Sequence, residues 1–150
     1  MTKLNLPDFD FKYRLNEKGK KEIFDDVRKK YITLSPEEWV RQNFIRYLIQ
    51  HRNFPASLMA IERSLKVNTM TKRTDIVQYD KNGRAILIVE CKAPNVKIDQ
   101  DTFAQAAMYN LKMQVNYLIM TNGMHHFCCK INNTTHQLEY LKEVPYYNEL

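Results

Sequence analysis

Five consecutive apolar residues, Ala85-Ile86-Leu87-Ile88-Val89, run straight into Glu90-Cys91-Lys92. No other stretch constrains the fold as strongly. A strand without a polar position must be covered on both faces, which places it centrally in a sheet. Side chains two apart on a strand share a face, so Glu90 and Lys92 look into one space and Cys91 looks away. Charges at the end of a buried strand are costly unless they are paired or functional. Upstream, Arg73 to Tyr79 reads as a second strand, with Asp80-Lys81-Asn82-Gly83 as the turn between the two. Asn-Gly tolerates the positive φ angles that tight hairpins require. Such a hairpin brings Asp75 alongside the Glu90 end, gathering two carboxylates and an ammonium.

The remaining chain supplies the layers. Ser35-Pro36-Glu37-Glu38 predicts a helix start, with Ser35 as cap, Pro36 in the first turn and Glu38 completing a capping box. Val40, Phe44, Tyr47 and Leu48 then recur at helical spacing to about His51. Pro55 opens a second short helical stretch in which Leu58, Ile61 and Leu65 share one face. Residues 4–34 read as short strands around a polar turn at Asn16-Glu17-Lys18-Gly19-Lys20, with Phe9, Phe11 and Tyr13 alternating. Asp99 or Asp101 caps a helix carrying Phe103, Ala106, Ala107 and Leu111. Val115 to Thr121 is a further strand, Asn122-Gly123 a turn, and His125 to Ile131 its partner. This order implies an α/β (α+β) domain with a mixed sheet. We read residues 1–150 as one domain, with 1–34 a β extension and 35–150 the core.

The formal charge of +6 points to an acidic partner, of which nucleic acid is the commonest. No apolar stretch has the length of a membrane span, and Met1 to Pro7 lacks the apolar core of a signal peptide. The three cysteines, Cys91, Cys128 and Cys129, are odd in number and show no metal-ligand spacing, which suits a reducing, cytoplasmic compartment. His125 and His126 point to opposite faces of a strand and make a poor metal pair, and Trp39 reads as core. Arg41 could contact phosphate or pair with nearby acids.

Two carboxylates and a lysine match one chemical need. Magnesium prefers carboxylate and water oxygens, usually with one or two protein carboxylates plus substrate phosphate. A lysine beside it can orient the attacking water and offset developing charge. Against this stands the plainer reading of Asp75, Glu90 and Lys92 as an ion pair at a sheet edge.

Asp75 followed by Glu90-Cys91-Lys92 resembles the PD-(D/E)xK nuclease superfamily. The sequence is more closely similar to the N-terminal nuclease domain of type I restriction enzyme R subunits and its short stand-alone relatives. The similarity runs through Arg28-Lys29-Lys30-Tyr31, Leu34-Ser35-Pro36-Glu37-Glu38-Trp39-Val40-Arg41-Gln42 and Arg73-Thr74-Asp75-Ile76-Val77. It continues through Val89-Glu90-Cys91-Lys92-Ala93-Pro94, Gln105 to Tyr109 and Thr121-Asn122-Gly123.

That resemblance implies a restriction-endonuclease-like core, a central mixed β-sheet flanked by helices. It implies Asp75 and Glu90 as ligands of Mg²⁺ or Mn²⁺, the backbone carbonyl of Cys91 close to the ion, and Lys92 as the catalytic lysine. Gln105 and Tyr109 match a QxxxY element, and Glu62 an upstream helical glutamate that adds a third acid. Thr74 stands where the superfamily often has proline. No GxxxxGK[ST] loop occurs, so no ATP is expected. DNA is the expected substrate, with Arg73, Lys97, Gln105 and Tyr109 along its backbone, and either a second copy or another restriction-system component as protein partner. The alternatives are a non-cleaving DNA-binding or regulatory module that keeps the fold, and an RNA-processing enzyme.

Overall fold

The computed structural model describes residues 1–150. Its centre is the apolar run, strand β8 (Ala85–Cys91), held by β7 (Ile76–Tyr79) on one side and β9 (Tyr117–Thr121) on the other. The β7 pairing is antiparallel and the β9 pairing parallel. A parallel neighbour requires a crossover. Helix α2 (Gln100–Asn110) provides it, capped by Asp99, whose carboxylate accepts from the Thr102 N–H at 2.8 Å. Strands β10 (His126–Ile131) and β11 (Leu138–Leu141) extend the sheet beyond β9, and β4 (Met59–Ile61) closes it beyond β7.

Alternation along β8 decides which residue meets which layer. Leu87, Val89 and Cys91 join Val40, Phe44, Ile45 and Leu48 of helix α1 (Pro36–His51) in one core. Ile88 joins Phe103 and Ala107 of α2, with Leu118 and Met120, in the other. The sheet is thus flanked by one helix on each face. Two smaller sheets complete the chain. One comprises β1 (Tyr13–Leu15), β2 (Lys21–Asp25) and β3 (Lys30–Thr33); the other is a ribbon of β5 (Ser64–Val67) and β6 (Met70–Arg73).

The second helix expected after Pro55 does not form. A single 3-10 turn, Ala56–Leu58, leads into β4 and β5. Ile61 packs toward α1 and Leu65 toward α2, so the residues expected on one helical face serve opposite cores. The strand expected from Arg73 to Tyr79 is split as well. Arg73 pairs with Ser64 in the ribbon, and the ladder to β8 starts only at Ile76. Between them Thr74 donates from its N–H and its hydroxyl to the Arg63 carbonyl, at 2.9 and 2.6 Å. Phe9 and Phe11 lie outside any strand and pack edge-on against His51 and Trp39 instead. Strand β11 has no counterpart in the sequence reading.

Gly123 turns the chain between β9 and β10 at φ +83°, and a Cβ there would meet the Leu4 side chain at 2.7 Å. This close approach lets the N-terminal segment dock on the sheet, where Asn5 donates its N–H to the Gly123 carbonyl at 2.8 Å.

Candidate active site at the ends of β7 and β8

Ile76 pairs with Val89, so Asp75 and Glu90 stand one step further along the same register, across from each other. Asp75 is where the ladder gives out. Its Oδ2 accepts the Cys91 N–H at 2.7 Å, a side-chain oxygen taking the place of a strand carbonyl. Its Oδ1 accepts from Arg41 Nη2 at 2.8 Å. Glu90 is reached from the α2 side, where its Oε1 forms an ion pair with Lys72 of β6. Lys72 also donates to Asn110 Oδ1 at 2.9 Å and lies 5.1 Å from the centre of the Tyr109 ring. The ammonium paired with Glu90 is therefore Lys72 and not Lys92. Lys92 is exposed, and its N–H donates to the Thr121 carbonyl at 2.8 Å, continuing the β8–β9 pairing one residue further. Strand alternation then puts Lys92 on the Glu90 side.

Behind Asp75 lies a buried ion cluster. Arg41 pairs with Glu38 at 2.7 Å, with Asp75 and with Glu62. Arg28 pairs with Asp25 at 2.7 Å and with Glu38 and Glu62 at 3.2 Å each. Gln42 donates to Asp25 at 2.8 Å and to Glu38 at 3.0 Å. Burial opposes the charge on Arg41, but Glu38 and Asp75 outweigh it and raise its pKa. Burial likewise opposes ionisation of Asp25, and bonds from Arg28 and Gln42 overcome it, lowering that pKa. The cluster joins four parts of the chain: the β2–β3 turn, α1, the residue after β4 and the start of β7.

Two placements correct the sequence reading. Glu62 is not helical. It follows β4 at φ +52°, and its N–H donates to the Asp75 carbonyl at 2.9 Å. Arg73 at 2.6 Å, Arg41 and Arg28 share its carboxylate, and against the desolvation they hold its pKa down to about 2. The helical acid at this place is Glu38. Ser35 caps α1 as expected, accepting the Glu38 N–H at 3.0 Å, but the Glu38 carboxylate turns to Arg28, Arg41 and Gln42 rather than closing a capping box. The signal lay in the spacing: Glu38, Arg41 and Gln42 share one helix face and interrupt an apolar stripe.

Gln105 and Tyr109 are both exposed on α2, and the Lys72 ammonium against the Tyr109 ring ties that residue to Glu90. Lys97 is exposed beyond β8. Cys91 is buried toward α1, and burial first, then Asp75, pushes its thiol well above the usual range. His126 contacts Thr121 Oγ1 at 2.7 Å and the Asn5 carbonyl at 2.9 Å, so it serves the docking of the N-terminal segment. No helix is long and apolar enough to cross a membrane.

The family model described as type I restriction enzyme R protein N terminus matches residues 36–145. No curated protein matches. Among solved structures, the chain resembles the fragment structure of an HsdR subunit of a type I restriction enzyme from Vibrio vulnificus YJ016, at 20% identity and a TM-score of 0.53. The match covers 78% of this chain and 24% of that one, so the chain spans about a quarter of the length of this solved relative. At that identity the likeness is one of fold.

Proposed function

We propose a function from one premise: the chain belongs to the family of type I restriction enzyme R protein N termini. It is a metal-dependent nuclease domain that hydrolyses DNA phosphodiester bonds within a restriction system. What supports this reading is that Asp75 and Glu90 adjoin the last pair of the β7–β8 ladder, Ile76–Val89, where the Asp75 carboxylate accepts the Cys91 N–H, and that strand alternation sets Lys92 on the Glu90 side.

The donor set suits a hard divalent cation. Each Asp75 oxygen accepts one protein hydrogen bond and keeps a lone pair, and only Oε1 of Glu90 is engaged. All-oxygen donors with room for water favour Mg²⁺ or Mn²⁺. Asp75 and Glu90 would hold the ion with the Cys91 carbonyl. When bound, it supplies Lewis acidity toward the phosphoryl oxygen and acidifies a water molecule. The chain does the rest. Arg41 and the Cys91 amide fix the Asp75 carboxylate, as preorganised sites require. Lys92 orients the attacking water by hydrogen bonding and offsets charge on the phosphoryl group. Gln105, Tyr109, Lys97 and Arg73 flank the DNA backbone. The reading needs no ATP, and three free, buried thiols suit a reducing cytoplasm.

Incubation with Mg²⁺ or Mn²⁺ on single- and double-stranded DNA tests it, with Lys92→Ala as control. Loss of one such stabilising group costs about 10²-fold or more in rate. Equal cleavage by the variant would refute the assignment. One observation favours the alternative of a non-cleaving DNA-binding module, namely that Arg41 and Lys72 already neutralise both carboxylates. DNA binding without cleavage in either metal would establish that reading instead.

A further inference from the structure

Lys72 is carried by a ribbon whose strands pair with each other and with no third strand. Its side chain is 12% exposed and that of Glu90 17%, so the two charges face each other largely out of water. Partly buried carboxylates without a counter-charge are strongly disfavoured, and Lys72 removes that penalty before any divalent ion arrives. Its other two partners differ in kind. The Asn110 oxygen and the Tyr109 ring are both uncharged, and both sit at the end of α2. They form a seat for the ammonium that does not depend on Glu90.

A divalent cation and an ammonium compete for one carboxylate. Resting on the nuclease reading, we infer that Lys72 is a second functional lysine of the site, the counter-ion of Glu90 in the metal-free protein and a phosphate ligand once the cation takes that carboxylate. The seat, with Asn110 buried and the Tyr109 ring exposed, keeps the displaced ammonium at the border between the α2 core and solvent. An ammonium is a compact point charge well suited to phosphate. Lys72 therefore opposes metal binding without DNA and supports DNA binding with metal, so the two ligands favour each other through this side chain. Such coupling is reciprocal by thermodynamic linkage.

The test is Lys72→Met, which keeps the stem and removes the charge. Mn²⁺ is titrated calorimetrically without DNA, and a short duplex is titrated by fluorescence anisotropy with Ca²⁺ present to support binding. The variant binds Mn²⁺ about fivefold more tightly than wild type, in the range of ordinary site coupling. It binds the duplex about tenfold more weakly, and its salt slope falls by about one. Lys72→Arg, which keeps the charge, retains most of the duplex affinity. Should Lys72→Met not fold, Lys72→Gln is read in the same titrations with the same signs. Weakening of both ligands would make Lys72 a structural pin, and no change in either would make it a bystander; each overturns the inference. Absence of Mn²⁺ binding by wild type and Glu90→Gln alike would overturn the nuclease reading beneath it.

Discussion

Replacing Glu62 by glutamine removes the acid that Arg28, Arg41 and Arg73 share. The folded protein holds the Glu62 pKa at about 2, against an ordinary 4.5. A depressed carboxylate stabilises the fold by favouring its charged form. Its contribution is complete above the unfolded value and disappears as pH falls through the folded one. At 1.36 kcal/mol per pH unit, that interval corresponds to about 3 kcal/mol as an upper limit. The side chain is 30% exposed, so solvent screening reduces the net figure to about 1–2 kcal/mol. Glu62→Gln should therefore unfold at lower urea concentration than wild type at pH 7, by that free energy. The gap should narrow below about pH 4.5 and vanish near pH 2, and the other carboxylates cancel because both proteins carry them. A gap that stays constant from pH 7 to pH 2 would refute the electrostatic account and leave a packing or backbone effect at this positive-φ residue.

Gly123→Ala should cost about 1–3 kcal/mol in chemical denaturation, because a left-handed backbone and the contact with Leu4 both oppose a Cβ; an unchanged midpoint would show that the N-terminal segment gives way freely. Lys97→Ala should weaken duplex binding and lower the salt slope by about one, with Arg73→Ala doing less since Glu62 already holds that guanidinium, and Lys18→Ala with Lys20→Ala least of all. Anisotropy titrations over a salt series measure all three, and a dominant effect at Lys18 and Lys20 would place DNA on the N-terminal sheet.

The elements that position the site were legible because their causes are local. A five-residue apolar run bounded by a turn fits a covered strand, Asn82-Gly83 can turn a hairpin, and together they bring Asp75 and Glu90 to the adjoining ends of β7 and β8. The errors arose where a tertiary partner overrode a local pattern. Leu58, Ile61 and Leu65 fit a helical period, yet β7 needed an edge partner, and pairing Met59–Ile61 with it satisfied backbone groups that a helix here would have left open. Glu38 fits a capping box, yet buried Arg41 and partly buried Arg28 outbid one backbone N–H for its carboxylate.

The choice of counter-ions was the least legible feature, for a physical reason. Which ammonium meets Glu90 depends on where the β5–β6 ribbon folds back, and that is fixed by Leu65, Val67 and Met70 packing against the α2 core rather than by anything near Glu90 in sequence. Lys92, two residues away, shares the strand face with Glu90 but remains exposed; Lys72, eighteen positions upstream on the chain, is carried onto the carboxylate by that apolar packing. Hydrophobic contacts thus decide the electrostatics. Leu65→Ala, which loosens the ribbon without touching either charge, should tighten Mn²⁺ binding in calorimetric titration as Lys72→Met does; an unchanged affinity would show that β5 packing does not hold Lys72 on Glu90.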